Sequence, residues 1–234
     1  MRIADVIRSV MIAAVTIGII VFWGVGSHGN AAYSALMVFL LVPAYWRGFE
    51  VTYKLILSLA TQEKFEKYKL TWVEMVAFPE TVLMLGMSFY VHWNVAQLSG
   101  VTPLQMNAAI AGAVVMLLGV VFTVWTIISW STMFVGHAIP KGHELIIRGI
   151  YARVRHPMYL AVVLIWAGLS LGTLNLIAGL LTIFYVLPVY LLYIKSEEEM
   201  MIEHFGDAYR EYKRNVGMLI PSLRAHEKEA AKDK

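Results

Sequence analysis

The sequence predicts an all-α, polytopic membrane bundle of about six spans, and three observations carry that prediction. First, 59% of the 234 residues are hydrophobic and only 15% are charged, against about 25% charged in ordinary soluble domains. A water-soluble fold of this size has no room to hide so much apolar surface, and the mean hydropathy is +0.66. Second, the chain divides into apolar segments, each near the length that crosses about 30 Å of hydrocarbon. Third, Lys and Arg fall in alternate loops, as the positive-inside rule requires of successive crossings.

The first segment runs roughly over 7–26. It is longer than the apolar region of a typical signal peptide, and no clear small-residue cleavage site follows, so it is expected to remain as a span. The next three run roughly over 31–49, 72–93 and 106–129, and the third of the six carries Pro79 and Glu80. The fifth, 157–173, is the shortest at about 25 Å of helix. A bundle of five spans with one re-entrant segment therefore also fits. The sixth covers 176–194. Only Thr173 to Asn175 separate the last two, so they should pack as an antiparallel pair with their far ends side by side.

The charges orient this bundle. Arg2 and Arg8 precede the first span, and Arg47, Lys54, Lys64, Lys67 and Lys69 lie between the second and third. Lys141, Arg148, Arg153 and Arg155 lie between the fourth and fifth, while Lys195, Arg210, Lys213 and Arg214 follow the sixth. The loops near Ser27–Asn30, Asn94–Gln105 and Thr173–Asn175 contain no Lys or Arg. Both termini and the 130–157 loop are therefore expected to be cytoplasmic. The organisation that follows is 1–130 as amino-terminal spans, 131–221 as a loop, a helical hairpin and post-span helices, and 222–234 as a charged tail. After the last span, Met201, Ile202, Phe205, Tyr209 and Tyr212 recur near helical spacing, with Gly206 expected to divide two short helices. This segment is either an interfacial helix lying on the membrane or a cap over a site.

The chemistry concentrates in Gly142–Tyr159 and in Glu197-Glu198-Glu199. His156-Pro157 is a helix start, because proline is well tolerated at the first helical position. The free N–H groups and positive dipole end there favour a carboxylate or phosphate. Arg153 and Arg155 add cationic donors, and Tyr151 and Tyr159 flank the patch, where they can stack on a heterocycle or face a cation. The hairpin brings the acidic run beside His156. Carboxylates opposite an anion-binding helix start suit a zwitterionic cofactor bearing a ribose. Taken singly, each feature is more often an interface anchor or a solvated face.

As a set, Gly142-His143-Glu144-Leu145, Gly149-Ile150-Tyr151, Arg155-His156-Pro157-Met158-Tyr159, Glu197-Glu198-Glu199 and Phe205 to Tyr212 resemble the carboxyl-terminal half of the isoprenylcysteine carboxyl methyltransferases and their phospholipid methyltransferase relatives. The resemblance covers roughly residues 137–221. It implies an integral-membrane enzyme that transfers a methyl group from S-adenosyl-L-methionine to a lipophilic acceptor, foremost a prenylcysteine-type carboxylate. It implies cofactor binding by His143, Glu144, Leu145, Ile146, Tyr151, His156, Pro157, Met158 and Tyr159, with Glu198 and Glu199 on the other side. Glu199 and Arg155 are the candidate catalytic residues, Glu199 as the group that would take a proton from an amine acceptor. Lys195 stands where the prenylcysteine branch has an arginine linked to the substrate carboxylate. Glu80, an ionisable group inside a span, is costly unless paired or wet. It is assigned to the acceptor's path, the alternative being a partner within the bundle.

The rival readings are a phospholipid amine N-methyltransferase, a small-thiol methyltransferase, an NADPH-dependent membrane reductase and a non-enzymatic membrane scaffold. The chain has no cysteine, which excludes disulfides, thiolate metal sites and a cysteine nucleophile. His137, His143 and His156 lack the spacing that puts two ligands on one helical face. The expected partners are the bilayer and a lipophilic acceptor, with neither metal nor nucleic acid.

Overall fold

A computed structural model describes residues 3–22, 29–60, 65–68, 72–129, 138–140 and 144–221. The helices α1 (Ile3–Phe22), α2 (Ala31–Ala60), α3 (Trp72–Ala96) and α4 (Pro103–Ser129) make up the amino-terminal half. In the carboxyl-terminal part, α5 (Pro157–Thr173) is followed by α6 (Leu176–Leu181), a π turn at Thr182–Val186, α7 (Leu187–Phe205) and α8 (Asp207–Asn215). The helical membrane fold expected from the sequence is the one observed. Its one addition is a short antiparallel pair, β1 (Phe65–Tyr68) with β2 (Ala138–Pro140), registered Phe65 to Pro140 and Tyr68 to Ala138. The sequence reading contained no strand. This pairing puts the α2–α3 and α4–α5 connections at the same end of the bundle, the end where basic residues accumulate.

Local chemistry sets the helix limits. Asn30 caps α2, its Oδ1 accepting from Tyr33 N at 3.0 Å. Thr102 and Gln105 form a capping box at α4: Thr102 N donates to Gln105 Oε1 at 2.8 Å, and Gln105 N donates to Thr102 Oγ1 at 3.3 Å, which satisfies two otherwise orphaned donors. The α5–α6 turn closes through Leu174 at φ 51°, and Asn175 Oδ1 accepts from Ala178 N at 2.9 Å. The π turn sits one turn ahead of Pro188, whose missing N–H interrupts the helical ladder. Gly206, at φ 59°, separates α7 from α8 as expected.

Two helices continue well past the carboxyl ends of their predicted spans. The α2 helix continues from 49 to Ala60, and α7 carries the last apolar segment on to Phe205. By length and composition, three of the described helical segments suffice to cross a membrane: Ala31–Phe49, Pro103–Ser129 and Leu176–Phe205. Val10–Val21, Val82–Ala96 and Pro157–Thr173 are shorter apolar helices.

The core joins α2, α3, α4, α5 and α7 through Met37, Leu40, Tyr45, Met84, Met116, Trp166 and Ile194, all essentially buried. The hairpin between α5 and α6 is present, yet the most extensive contact of α5 is with α4. Gly112 and Gly119 on α4 face Gly172, Gly168, Ile165 and Ala161 on α5. Lipid tails are as apolar as leucine, so helices in a bilayer gain from close backbone approach, which small residues permit. That packing holds the start of α5, and the site with it, in a fixed place against α4.

Candidate active site at the basic end of the bundle

The loop entering α5 is anchored before it reaches the site. Gly149, at φ 62°, opens a 3₁₀ turn (Gly149–Ala152), and Ile150 N donates to Ser129 Oγ at the end of α4, 3.2 Å away. A Cβ on Gly149 would collide with that hydroxyl. The turn buries Ile150 and Tyr151, and the Tyr151 carbonyl accepts from Tyr212 Oη at 2.7 Å. Beyond it, Val154 and Gly217 form a parallel bridge. Arg155 N donates to Gly217 O at 2.9 Å and His156 N to Met218 O at 3.1 Å. The chain after α8 thus folds back and clamps the entry to α5.

Arg155, His156 and Tyr159 meet the end of α7. Arg155 Nε donates to Glu198 Oε1 at 2.8 Å, and its Nη1 donates to the carbonyls of Lys213, at 2.9 Å, and Val216. His156 Nε2 lies 3.2 Å from Glu198 Oε1 and its Nδ1 lies 3.4 Å from Glu197 Oε2. Tyr159 Oη donates to Glu197 Oε2 at 2.8 Å, and Lys213 Nζ pairs with Glu198 Oε2 at 2.6 Å. Residues 42 positions apart in sequence are therefore neighbours, as the hairpin predicted. The rings continue inward: His156 stacks on Tyr159 at 5.6 Å, and Tyr159 on Tyr190 at 5.1 Å between centroids.

The electrostatics favour the charged forms. Glu198 lies one turn past the apolar stretch that ends at Ile194. Burial alone would raise its pKa, but hydrogen bonds from His156 and Lys213, with Arg155 beside them, hold it down at about 2. For His156, burial opposes the imidazolium, and the hydrogen bonds to Glu197 and Glu198 outweigh it, so its pKa is raised. The cluster sets Arg155, Lys213 and His156 against the carboxylates of Glu197 and Glu198.

The other predicted positions divide clearly. The His156 side chain does not cap the first turn of α5, where Pro157 occupies the start, and that turn carries the helix's positive end. Leu145 packs on Tyr209, Tyr212 and Val216, with Met201, Ile202 and Phe205 around them. The segment α8 is thus docked on the protein against Leu145 of the 144–148 loop. Ile146 is half-buried, whereas Glu144, Glu199 and Lys195 are exposed. His143 and the tail 222–234 lie outside the described residues.

Glu197 was missed as a site residue, although helical phase identifies it. Val186, Tyr190, Ile194 and Glu198 form a buried stripe at every fourth position, and Glu197 lies three residues after Ile194 on the same side. Glu199 falls outside that stripe. Glu80 is fully buried. Its Oε1 accepts from Trp166 Nε1 at 2.7 Å and its Oε2 from Tyr190 Oη at 2.8 Å. Arg47, also missed, joins this second cluster. Among the described residues no group of three or more His, Asp and Glu is arranged to hold a metal.

Residues 107–208 match a family model described as phospholipid methyltransferase, and that stretch contains the α5–α7 hairpin and both halves of the ion-pair cluster. Over that stretch the chain resembles the phospholipid methyltransferases. The chain is 40% identical over 76 residues to methanethiol S-methyltransferase of Pseudomonas deceptionensis, covering 32% of this chain and 28% of the relative. It is 38% identical over 87 residues to protein-S-isoprenylcysteine O-methyltransferase of Schizosaccharomyces pombe, covering 36% of this chain and 35% of that one. A protein of that same name from Tribolium castaneum is 29% identical over 164 residues, 67% of this chain and 50% of its own. The chain thus spans half or less of the length of these relatives. Among solved structures, that of a eukaryotic intramembrane Ras methyltransferase, an isoprenylcysteine carboxyl methyltransferase, covers 93% of this chain and 86% of its own, at 14% identity and a TM-score of 0.37.

Proposed function

We propose that this integral-membrane protein is a methyltransferase that uses S-adenosyl-L-methionine and methylates a lipophilic acceptor, a prenylcysteine-type carboxylate above all. The observation that carries the reading is the closure of His156 and Arg155 on Glu198. It unites the loop and the acidic run, the two parts of the chain that the family resemblance ties to the cofactor.

The residues suit a zwitterionic nucleoside. The first turn of α5, which the His156 side chain does not cap, would take the cofactor's carboxylate. Glu199, exposed beside the paired Glu197 and Glu198, is free to accept from an ammonium or from ribose hydroxyls. The 144–148 loop with Tyr151, under the α8 cap, would enclose the base. When bound, the cofactor supplies an electrophilic methyl group on a sulfonium. What this chain must do is position: displacement at that carbon is governed by alignment and exclusion of water. With a carboxylate acceptor, a carbon–oxygen bond replaces the carbon–sulfur bond, the electron pair stays on sulfur, and no proton is released. An amine or thiol acceptor would also have to lose a proton, for which Glu199 is the nearest exposed base. The relatives named as methanethiol S-methyltransferases make a thiol the second reading.

The test is calorimetric titration of detergent-purified protein with S-adenosylhomocysteine, alongside Glu198→Gln. Saturable binding by the wild type, lost in a variant that still unfolds cooperatively, is the expected result. A wild type that binds nothing in detergent or in lipid would overturn the reading. A screen with labelled methyl donor then ranks carboxylate, amine and thiol acceptors.

A further inference from the structure

Resting on that reading, the second buried cluster bears on the acceptor. Glu80 spends both oxygens on neutral donors, Trp166 Nε1 and Tyr190 Oη. Arg47 Nη2 stands 3.9 Å from Glu80 Oε2, an ion pair without a hydrogen bond. The guanidinium donates to Tyr190 Oη at 3.2 Å, and its Nε is buried with no hydrogen-bond partner among the described residues. A buried ion pair serving only the fold would close directly, since an uncommitted donor out of water is expensive. Here the carboxylate balances the charge of Arg47 while leaving its Nε edge unused. That edge of the planar fork is the one that matches a carboxylate.

Its position fits an acceptor rather than the cofactor. Tyr190, which holds Arg47 and Glu80 together, stacks on Tyr159, whose hydroxyl rests on Glu197. Arg47 thus lies one aromatic layer inward from the candidate cofactor site. It is not sealed off either: 18% of its side chain is exposed, and the neighbouring Trp46 is exposed on the apolar surface of α2. An amphiphile with its tail in the bilayer meets a cation there.

We infer that Arg47 is the anchor for an anionic methyl acceptor, its Nε edge binding one end of a carboxylate carried by a lipophilic tail, with Glu80 and Tyr190 holding the guanidinium in place. A carboxylate has about four lone-pair sites, so an oxygen held by one N–H keeps a lone pair for attack. This assigns the selectivity for an acid to α2 and α3, not to the exposed Lys195.

The experiment uses the full chain in lipid nanodiscs with N-acetyl-S-farnesylcysteine as acceptor and its carboxamide as competitor. The variants are Arg47→Gln, Arg47→Lys and the charge-balanced pair Arg47→Gln with Glu80→Gln, which removes the stranded carboxylate should the single change fail to fold. In the wild type the acid should bind more tightly than the amide. Arg47→Gln, alone or in the pair, should raise the KM for the acid about ten- to a hundredfold, with kcat changed far less, and should erase the preference over the amide. Arg47→Lys should keep part of it, and S-adenosylhomocysteine affinity should hold within about twofold in all three. An acid preference that survives loss of Arg47, or a KM that does not move, overturns the assignment while leaving the methyltransferase reading intact. Failure of the wild type to bind S-adenosylhomocysteine removes both.

Discussion

Tyr159 stacks on Tyr190 at 5.1 Å, with the ring planes 28° apart. Through that pair Glu197, at the edge of the candidate cofactor site, and Glu80, in the middle of the bundle, become the two ends of one buried line. Tyr159 donates outward to Glu197 and Tyr190 donates inward to Glu80. The stack therefore joins the part of the chain matched by the family to the amino-terminal helices, where no motif is readable.

Removing only the inner hydroxyl tests that join. Tyr190→Phe keeps the ring and the stack but takes one donor from Glu80 and the hydrogen-bonded acceptor from Arg47. Leaving buried polar groups unsatisfied costs about 1–3 kcal/mol, so the melting temperature should fall by several degrees. Cofactor-analogue affinity should change little, because the ring that supports Tyr159 remains. A melting temperature equal to the wild type's would mean that water fills the gap and the line is not a structural tie.

The ion-pair cluster makes the opposite prediction. Glu198 receives Arg155, His156 and Lys213, so Glu198→Gln leaves all three facing one fewer negative charge. Breaking such a buried arrangement from one side costs about 3–5 kcal/mol. Affinity for S-adenosylhomocysteine should drop at least about tenfold, since α7 no longer holds the α5 entry loop. Glu199→Gln, on the exposed side of α7, should weaken the analogue with little change in melting temperature. Calorimetry and thermal unfolding on the two variants separate support from direct contact.

The acidic run and the helix start were legible because each depends on local rules. Proline marks the first turn of α5, three residues are too few to separate α5 and α6 widely, and Gly206 takes the positive φ that ends α7. Arg47 was illegible for a physical reason. It stands at the edge of an apolar stretch among other loop cations, where a positive-inside anchor is the ordinary explanation. Its place near the end of the 31–49 span says nothing of which way it faces, and the structure turns it inward against Glu80 and Tyr190. Its partners lie on α3 and α7, and no sequence spacing links three helices. The α4–α5 seam was illegible likewise: glycines in an apolar run give no sign of which helix they will meet.

His156 supplies a pH dependence with a definite sign. Its pKa is raised in the folded protein, because hydrogen bonds to Glu197 and Glu198 outweigh burial. A group raised above its unfolded value of about 6.5 contributes stability fully below that pH and loses it as pH rises through the folded value. The melting-temperature gap between wild type and His156→Gln should therefore be widest near about pH 6 and narrow on the alkaline side. A gap that stays constant across that range would mean that the imidazole is neutral throughout and that Arg155 and Lys213 alone hold Glu198.

The α4–α5 seam can be tested without touching the site. A Cβ on Gly112 would lie 2.3 Å from the backbone of Gly172, and one on Gly168 would lie 2.8 Å from the Met116 backbone. Neither neighbour is a flexible side chain, so the helices must separate, and overpacking of this kind costs about 1–3 kcal/mol. Gly86→Ala on α3 is the control. Nothing lies within 4 Å of its added carbon, and alanine in a helix interior gains about 0.5–1 kcal/mol over glycine. Gly112→Ala should lower the melting temperature and Gly86→Ala should hold or raise it. Because α4 carries Ser129, which holds the turn before Tyr151, separation at Gly112 should also weaken S-adenosylhomocysteine binding from a distance. Equal effects of the two substitutions would show that the seam is loose, and that the position of α5 is set by the hairpin instead.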